Sequence, residues 1–132
     1  MGLIIICHIT ILDIFIITII MEVQNSKTAT GKGLFATKEY KIGEIVFILS
    51  GKLYDSPIRE TIHIGNNTHI YDEFGIFINH SFTPNISINY LNVIALVDIF
   101  VGDELVFNYN ETEINMNSPF YVDNILVSGK TA

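Results

Sequence analysis

The chain has 132 residues, which is enough for one globular domain and too few for two. Apolar residues make up 49% of the sequence, so it can bury a hydrophobic core and is not of the disordered class. A net charge of −7 argues against a direct nucleic-acid partner, because phosphate binding needs a basic surface. The charge suits a basic partner such as a lysine-rich protein, and simple solubility explains it at least as well.

The cysteine count limits the chemistry further. Cys7 is the single cysteine, which excludes an internal disulfide framework and a zinc site built from several cysteines of one chain. A reducing, cytoplasmic location fits this composition. We predict no metal site, because the other candidate ligands do not cluster at metal-binding spacing.

Residues 1–20 form an apolar N-terminal extension that differs from the rest of the chain, and three interpretations stay open. Residues 3–20 are long enough for a membrane anchor, although Asp13 near the centre would cost about 2.5–3.5 kcal/mol there. As an anchor, the segment would leave the domain in the cytoplasm, because the first lysines follow it. Its β-branched residues also suit a buried strand. The third interpretation is that translation begins at Met21 and the extension is not part of the fold.

Short apolar runs separated by turn residues fill the rest of the chain and predict β-strands. Tight turns separate several of them, and Gly65-Asn66-Asn67 is the strongest hairpin signal. No helical periodicity extends beyond two turns, so we predict a mostly β fold. The predicted strands are 22–24, 34–36, 44–49, 61–64, 68–71, 85–89, 93–97 and 105–109.

The first candidate functional segment is residues 31–35, Gly-Lys-Gly-Leu-Phe. Gly31 and Gly33 allow positive φ angles and a close approach of the backbone to a ligand. Taken alone, such a pair is more often a plain turn. A dinucleotide-binding loop is not indicated, because the third glycine and the following helix are missing.

The second segment is residues 79–85, Asn-His-Ser-Phe-Thr-Pro-Asn, which follows an apolar run. The amide of Asn79 can donate and accept hydrogen bonds at once, so it can hold a carboxylate and a backbone group together. His80 can act as a base or as a structural donor, and a structural histidine is the more common case.

The third segment is residues 102–109, Gly-Asp-Glu-Leu-Val-Phe-Asn-Tyr. A glycine turn leads here into a predicted strand that ends in Tyr109. Without the other segments, Tyr109 would most often be a half-buried strand residue.

In order and spacing, the three segments resemble the motifs of SET-domain protein lysine methyltransferases, in particular the small stand-alone bacterial and viral type. The resemblance covers residues 21–120 and implies a β-clip fold with a C-terminal pseudoknot that brings residues 79–80 beside Tyr109. It implies methyl transfer from S-adenosylmethionine to a lysine ε-amine of a lysine-rich protein or peptide, with Tyr109 catalytic. The cofactor-binding residues that it implies are Gly31, Lys32, Gly33, Leu34, Asn79, His80, Tyr109 and Phe120.

The C-terminal end of the chain departs from this family pattern. Residues 121–132 contain no cysteine, so they look like a degenerate form of the zinc-binding post-SET segment that closes the lysine channel in related proteins. The alternative function is therefore a catalytically impaired SET module that binds a partner.

Tyr40 and Tyr71 could add aromatic rings to the channel, although ordinary packing explains both. The sequence leaves the oligomeric state open, and a viral or effector origin would imply a host nucleus instead of the cytoplasm.

Overall fold

The computed structural model describes residues 21–58, 60–114, 116 and 119–130. The three interpretations of residues 1–20 concern a segment outside this described part. Among the described residues, no helix is long and apolar enough to cross a membrane.

Short strands dominate the described part of the chain, with one helical turn, α1 (Tyr109–Thr112), and a 3-10 turn at Gly75–Phe77. The mostly β fold class is thereby confirmed. The strands are β1 (Met21–Asn25), β2 (Lys32–Ala36), β3 (Ile45–Ile48), β4 (Lys52–Tyr54), β5 (Ile62–Gly65), β6 (Thr68–Tyr71), β7 (Asn79–His80), β8 (Ile86–Asn89), β9 (Asn92–Ala95), β10 (Glu104–Phe107), β11 (Phe120–Val122) and β12 (Ile125–Val127).

These strands form several small sheets instead of one large one. The orders are β1-β2-β10-β7, β3-β9-β8, β4-β6-β5 and the hairpin β11-β12. The turn predicted between β5 and β6 is confirmed, and Gly65, Asn66 and Asn67 all have positive φ angles there. Glycine and asparagine tolerate that left-handed region better than other residues, which is why this tripeptide specifies the turn.

Strand β10 lies at the centre of the arrangement, and all four of its residues are buried. It pairs antiparallel with β2, where Leu105 lies opposite Leu34. It also pairs in parallel with β7, where Phe107 lies opposite His80. The glycine segment and the segment at residues 79–85 therefore lie on either side of β10, the strand that leads to Tyr109.

An apolar core supports these sheets. Leu34, Ile78 and Leu105 are almost completely inaccessible to solvent, and each such side chain contributes roughly 1.5–3 kcal/mol through burial. Asn85 adds a polar clamp on β10. Its Nδ2 donates to the carbonyl of Glu104 at 2.8 Å, and its Oδ1 accepts from the amide of Val106 at 2.9 Å.

The prediction of a strand through Tyr109 was wrong at its end. Strand β10 stops at Phe107, and Tyr109 begins the helical turn α1. Asn108 is the N-cap of that turn, and its side-chain oxygen accepts from the amide of Asn110 at 3.0 Å. Asparagine favours this capping position because its short side chain reaches the free amides of the first turn.

The C-terminal hairpin β11-β12 was not predicted, because residues 121–132 were interpreted through their missing cysteines. Its local signal is the pair Asp123–Asn124, which has positive φ angles at both residues and joins the two strands. The tail returns to α1, where Oδ1 of Asn110 accepts from the amides of Ser128 at 3.2 Å and Gly129 at 2.8 Å. One side chain therefore holds the end of the hairpin against the turn that carries Tyr109.

We expect Asn110→Ala to loosen the tail, because the amides of Ser128 and Gly129 then lose their acceptor. Each lost bond of this kind contributes about 0.5–1.5 kcal/mol, so exchange of these two amides should accelerate by roughly tenfold or more. Amide hydrogen exchange followed by NMR measures this rate. Glu111→Ala is the matched control, because its side chain is exposed on the same turn. Equal protection in both variants would contradict the proposed clamp.

Candidate active site

The carboxylate of Glu104, at the start of β10, links the loop before the glycine segment to Asn79. It accepts hydrogen bonds from Oγ of Ser26 at 2.8 Å, the amide of Lys27 at 2.8 Å and Nδ2 of Asn79 at 3.0 Å. Burial alone would raise the pKa of Glu104, but donors from Asn79, Lys27, Ser26 and Thr28 together lower it. The group is therefore held as a carboxylate with its charge shared among several donors.

The two glycines of the first segment serve different purposes. A Cβ atom at Gly33 would lie 2.8 Å from Cδ of Glu104, so a side chain at this position would displace the carboxylate from its hydrogen bonds. Gly31 has open space around it but a φ angle of +94°, which a side chain rarely adopts. Both glycines thus have a structural reason within the fold, independent of any ligand.

Lys32 and Leu34 contribute to this region mainly through their main chains. The carbonyl of Lys32 accepts from Nδ2 of Asn79 at 2.9 Å, while its Nζ lies 3.0 Å from Oδ1 of Asn25 on the surface. The side chain of Leu34 is completely buried in the core. Its side chain therefore cannot contact a ligand without repacking.

His80 and Tyr109 are joined directly, as the resemblance predicted. Nδ1 of His80 accepts from the amide of Tyr109 at 3.1 Å, and the two ring centroids lie 5.3 Å apart. A neutral ring that accepts at Nδ1 carries its proton on Nε2. Nε2 is buried and has no hydrogen-bond partner among the described residues. Burial also lowers the pKa of His80, so the ring is neutral near physiological pH.

Aromatic rings surround this histidine edge to face. The ring centroids of Phe82 and Phe120 lie 4.4 Å and 5.9 Å from that of His80. Phe120 also lies 6.1 Å from the ring of Tyr109, so the hairpin β11-β12 contributes one member of the cluster. The apolar surroundings explain why the imidazole remains uncharged.

The hydroxyl of Tyr109 is held in one orientation. It donates to the carbonyl of Ile78 at 2.7 Å. Burial, with a smaller contribution from the negative charge of Glu113, raises the pKa of Tyr109 far above its ordinary value. The hydroxyl therefore keeps its proton at physiological pH and presents its oxygen lone pairs as acceptors.

A cavity of about 350 Å³ opens beside Tyr109. Its described lining is mostly apolar, with the carboxyl groups of Glu60 and Glu113 as the charged groups. Of the predicted site residues, Tyr109 and Phe120 line this cavity. The others lie elsewhere, at Gly31, Lys32, Gly33, Leu34, Asn79 and His80.

The family of this fold follows from one further observation. The family model for the SET domain matches residues 31–110, which is more than half of the chain. The chain belongs to the SET-domain family. No curated protein matches the sequence.

Solved structures with the same fold come from the polycomb repressive complex 2 (PRC2). A chain of the Chaetomium thermophilum complex is 22% identical in sequence, with a TM-score of 0.59. The match covers 67% of this chain and 15% of that chain. The ctPRC2 complex with H3K27me3 and H3K27M gives 21% identity and a TM-score of 0.62, over 85% and 16%. Autoinhibited ctPRC2 bound to S-adenosylmethionine gives 19% sequence identity and a TM-score of 0.60. The match covers 84% of this chain and 20% of that chain. This SET domain therefore spans a fifth or less of those chains, and identities this low show a shared fold alone.

The structure also places the remaining candidates of this SET domain. Tyr40 is buried in the core and pairs with Ile99, and Tyr71 pairs with Lys52, so neither lines the cavity beside Tyr109. No group of three or more His, Cys, Asp or Glu residues in the described part of the chain is arranged to hold a metal ion.

Sequence reasoning missed the partners that fix these groups. Glu104 belongs to the third motif but gave no sign that it would contact Asn79, because the contact depends on the pairing of β10 with its neighbours. Glu113 and the carbonyl of Ile78 lie outside every motif. A main-chain carbonyl carries no sequence signal, and Glu113 is one acidic residue among many.

The lowered pKa of Glu104 predicts a pH-dependent contribution to stability. A carboxyl group with a lowered pKa stabilises the fold above its ordinary value of 4.5 and loses that contribution as the pH falls through the folded value. We expect wild type to be more stable than Glu104→Gln at neutral pH, with a difference that shrinks below pH 4.5. Urea unfolding at a series of pH values measures the difference. Glu22→Gln, at an exposed position of β1, is the control. A difference that stays constant down to about pH 3 would contradict the prediction.

Proposed function

We propose that this SET domain is an S-adenosylmethionine-dependent protein lysine N-methyltransferase. The observation that carries the proposal is the position of Tyr109. Tyr109 lines an apolar cavity, its hydroxyl is held in one orientation, and its backbone amide is bonded to His80, beside the Asn79–Glu104 cluster. An amine acceptor and a cofactor would thus meet at one residue.

The residues beside the cavity fit this cofactor. Nε2 of His80 is buried and has no hydrogen-bond partner in the described part of the chain, so its proton can be donated to a polar ligand. Both described hydrogen bonds of the Asn79 side chain use Nδ2, so its amide oxygen remains available to accept from an ammonium group. The ring of Phe120 is 37% exposed and offers a stacking surface for a heterocycle. By resemblance, Gly31, Lys32, Gly33 and Leu34 would add main-chain contacts.

S-adenosylmethionine supplies an electrophilic methyl group on a positively charged sulfonium. The acceptor amine must be neutral, because an ammonium has no lone pair, and well under ~1% of a free lysine is neutral near pH 7. Apolar walls lower the pKa of a lysine by removing water from its charged form. The Tyr109 hydroxyl donates to Ile78, so its oxygen can accept an N–H bond from the amine and fix the direction of the nitrogen lone pair.

The partner of such an enzyme would be a lysine-rich protein or peptide. The net charge of −7 favours the approach of a basic chain. We keep the cytoplasm as the expected location on the composition alone.

A non-catalytic SET module is the second candidate. It is favoured by the exposed apolar side chains on the C-terminal hairpin, where Tyr121, Ile125 and Leu126 are 70%, 54% and 44% exposed. Such a surface fits a partner protein. The oriented hydroxyl of Tyr109 at a cavity favours the enzyme instead.

Cofactor binding is tested by calorimetric titration of S-adenosylmethionine into the full chain. We expect micromolar affinity in the wild type and at least a tenfold loss, about 1.4 kcal/mol, in Asn79→Ala. Asn89→Ala, at an exposed position on β8, is the matched control and should bind like the wild type. Circular dichroism of each variant shows that the loss is not unfolding. A folded wild type that does not bind the cofactor would overturn the proposal.

Catalysis is tested with Tyr109→Phe. We expect methyl transfer to histone H3, as a lysine-rich probe, to fall by about 100-fold or more, because the oriented hydroxyl is lost. The affinity for S-adenosylmethionine should change little. Tyr121→Phe removes a hydroxyl from an exposed tyrosine and should leave the rate unchanged. Undiminished turnover in Tyr109→Phe would rule out the catalytic role of this residue.

A further inference from the structure

The described lining of the cavity beside Tyr109 combines apolar walls with acidic groups. The walls come from several parts of the chain, among them the loop before β5, the 3-10 turn, the end of β10 and the segment after α1. Glu60 and Glu113 are the charged residues of the described lining. Most of the other lining side chains are apolar, among them Ile58, Ile62, Ile76, Ile78, Phe107 and Phe120.

Glu113 is the acidic group that the fold holds in place. Its Oε2 accepts from the amide of His63 at 3.0 Å and from the hydroxyl of Thr112 at 2.9 Å. Within the described part of the chain, both side-chain hydrogen bonds end on this oxygen, so Oε1 has no donor there. His63 is itself fixed, since its Nδ1 lies 2.8 Å from the carbonyl of Thr112. The carboxyl group is thus oriented by the backbone of β5 and by α1.

Glu113 also acts on the hydroxyl of the candidate active site. Its negative charge adds to the effect of burial in raising the pKa of Tyr109, which places the two groups in one electrostatic environment. Burial likewise raises the pKa of Glu113, against smaller opposing contributions from His63 and Thr112. Burial makes a carboxylate unfavourable unless a cation compensates it, and an ammonium group that enters the cavity would supply such a charge.

We propose that Glu113 selects a positively charged alkyl side chain in this cavity, so that an alkylammonium binds there in preference to a neutral chain of the same length. Apolar walls suit the methylene groups of such a side chain, and the free oxygen of Glu113 suits its ammonium head. This inference rests on the proposed function for the identity of the substrate as a lysine. It assigns to Glu113 the role of a specificity-determining residue.

The test uses n-pentylammonium and 1-pentanol as probes of equal length, titrated into the full chain without cofactor at about pH 7, where the amine is charged. Isoleucine methyl groups report binding by NMR, because several of them line the cavity. For the wild type we expect the amine to bind about tenfold more tightly than the alcohol. Glu113→Gln should reduce this ratio to near one, because glutamine keeps the acceptor for His63 and removes the charge.

Glu111→Gln is the matched control, because it removes the same charge from an exposed position on the same turn. It should keep the wild-type ratio. Glu113→Gln should also unfold at an equal or higher urea concentration, because burial disfavours its charged form, whereas a purely structural carboxylate would lower stability when replaced. Equal binding of amine and alcohol by the wild type, no binding of either, or an unchanged ratio in Glu113→Gln would each overturn the inference.

Failure of this inference and failure of the proposed function give different results. The probe titration contains no S-adenosylmethionine and requires no methyl transfer. Amine preference in a protein that does not bind the cofactor would reject the methyltransferase and keep the role of Glu113. Cofactor binding and turnover without amine preference would reject the role of Glu113 alone.

Discussion

The fold depends on the pairing of one buried strand, β10, with two neighbours in opposite directions. The strand runs antiparallel to β2 and parallel to β7, and none of its residues reaches the surface appreciably. Parallel neighbours cannot be joined by a short turn, so this pairing brings distant parts of the chain together. As a result, the start of β10 carries Glu104 to the glycine segment, and the residues after its end carry Tyr109 to His80.

The two ends of this strand hold groups in opposite protonation states. Hydrogen-bond donors around Glu104 outweigh its burial and keep it a carboxylate. Burial dominates at Tyr109, so its hydroxyl stays protonated and donates a hydrogen bond to the carbonyl of Ile78. The difference arises from the supply of hydrogen-bond donors, because Glu104 accepts from the amide of Lys27 and from the side chains of Ser26 and Asn79, whereas burial dominates at Tyr109.

The sequence could predict those elements whose conformation is determined by residues close together in the chain, and the residues that belong to family motifs. The turn at residues 65–67 and most strands depend on neighbouring residues, and the family motifs mark Asn79 and Tyr109 directly. The contact between Asn79 and Glu104 could not be predicted, because it depends on strands that are far apart in sequence. The helical turn at Tyr109 was missed for a different reason, since the cap at Asn108 overrode the apolar run before it. Glu113 carried no motif, and only the cavity identifies it.

The C-terminal tail supports the cavity although it contains no cysteine. Phe120 of β11 is both a lining residue and a ring neighbour of His80. The same tail is bonded through Gly129 to Asn110, which directly follows Tyr109. Two residues that line the cavity, Phe120 and Tyr109, therefore share one support on α1. Undocking of the tail would remove the ring of Phe120 and loosen the turn at Tyr109 together, so binding and alignment are coupled through this short segment.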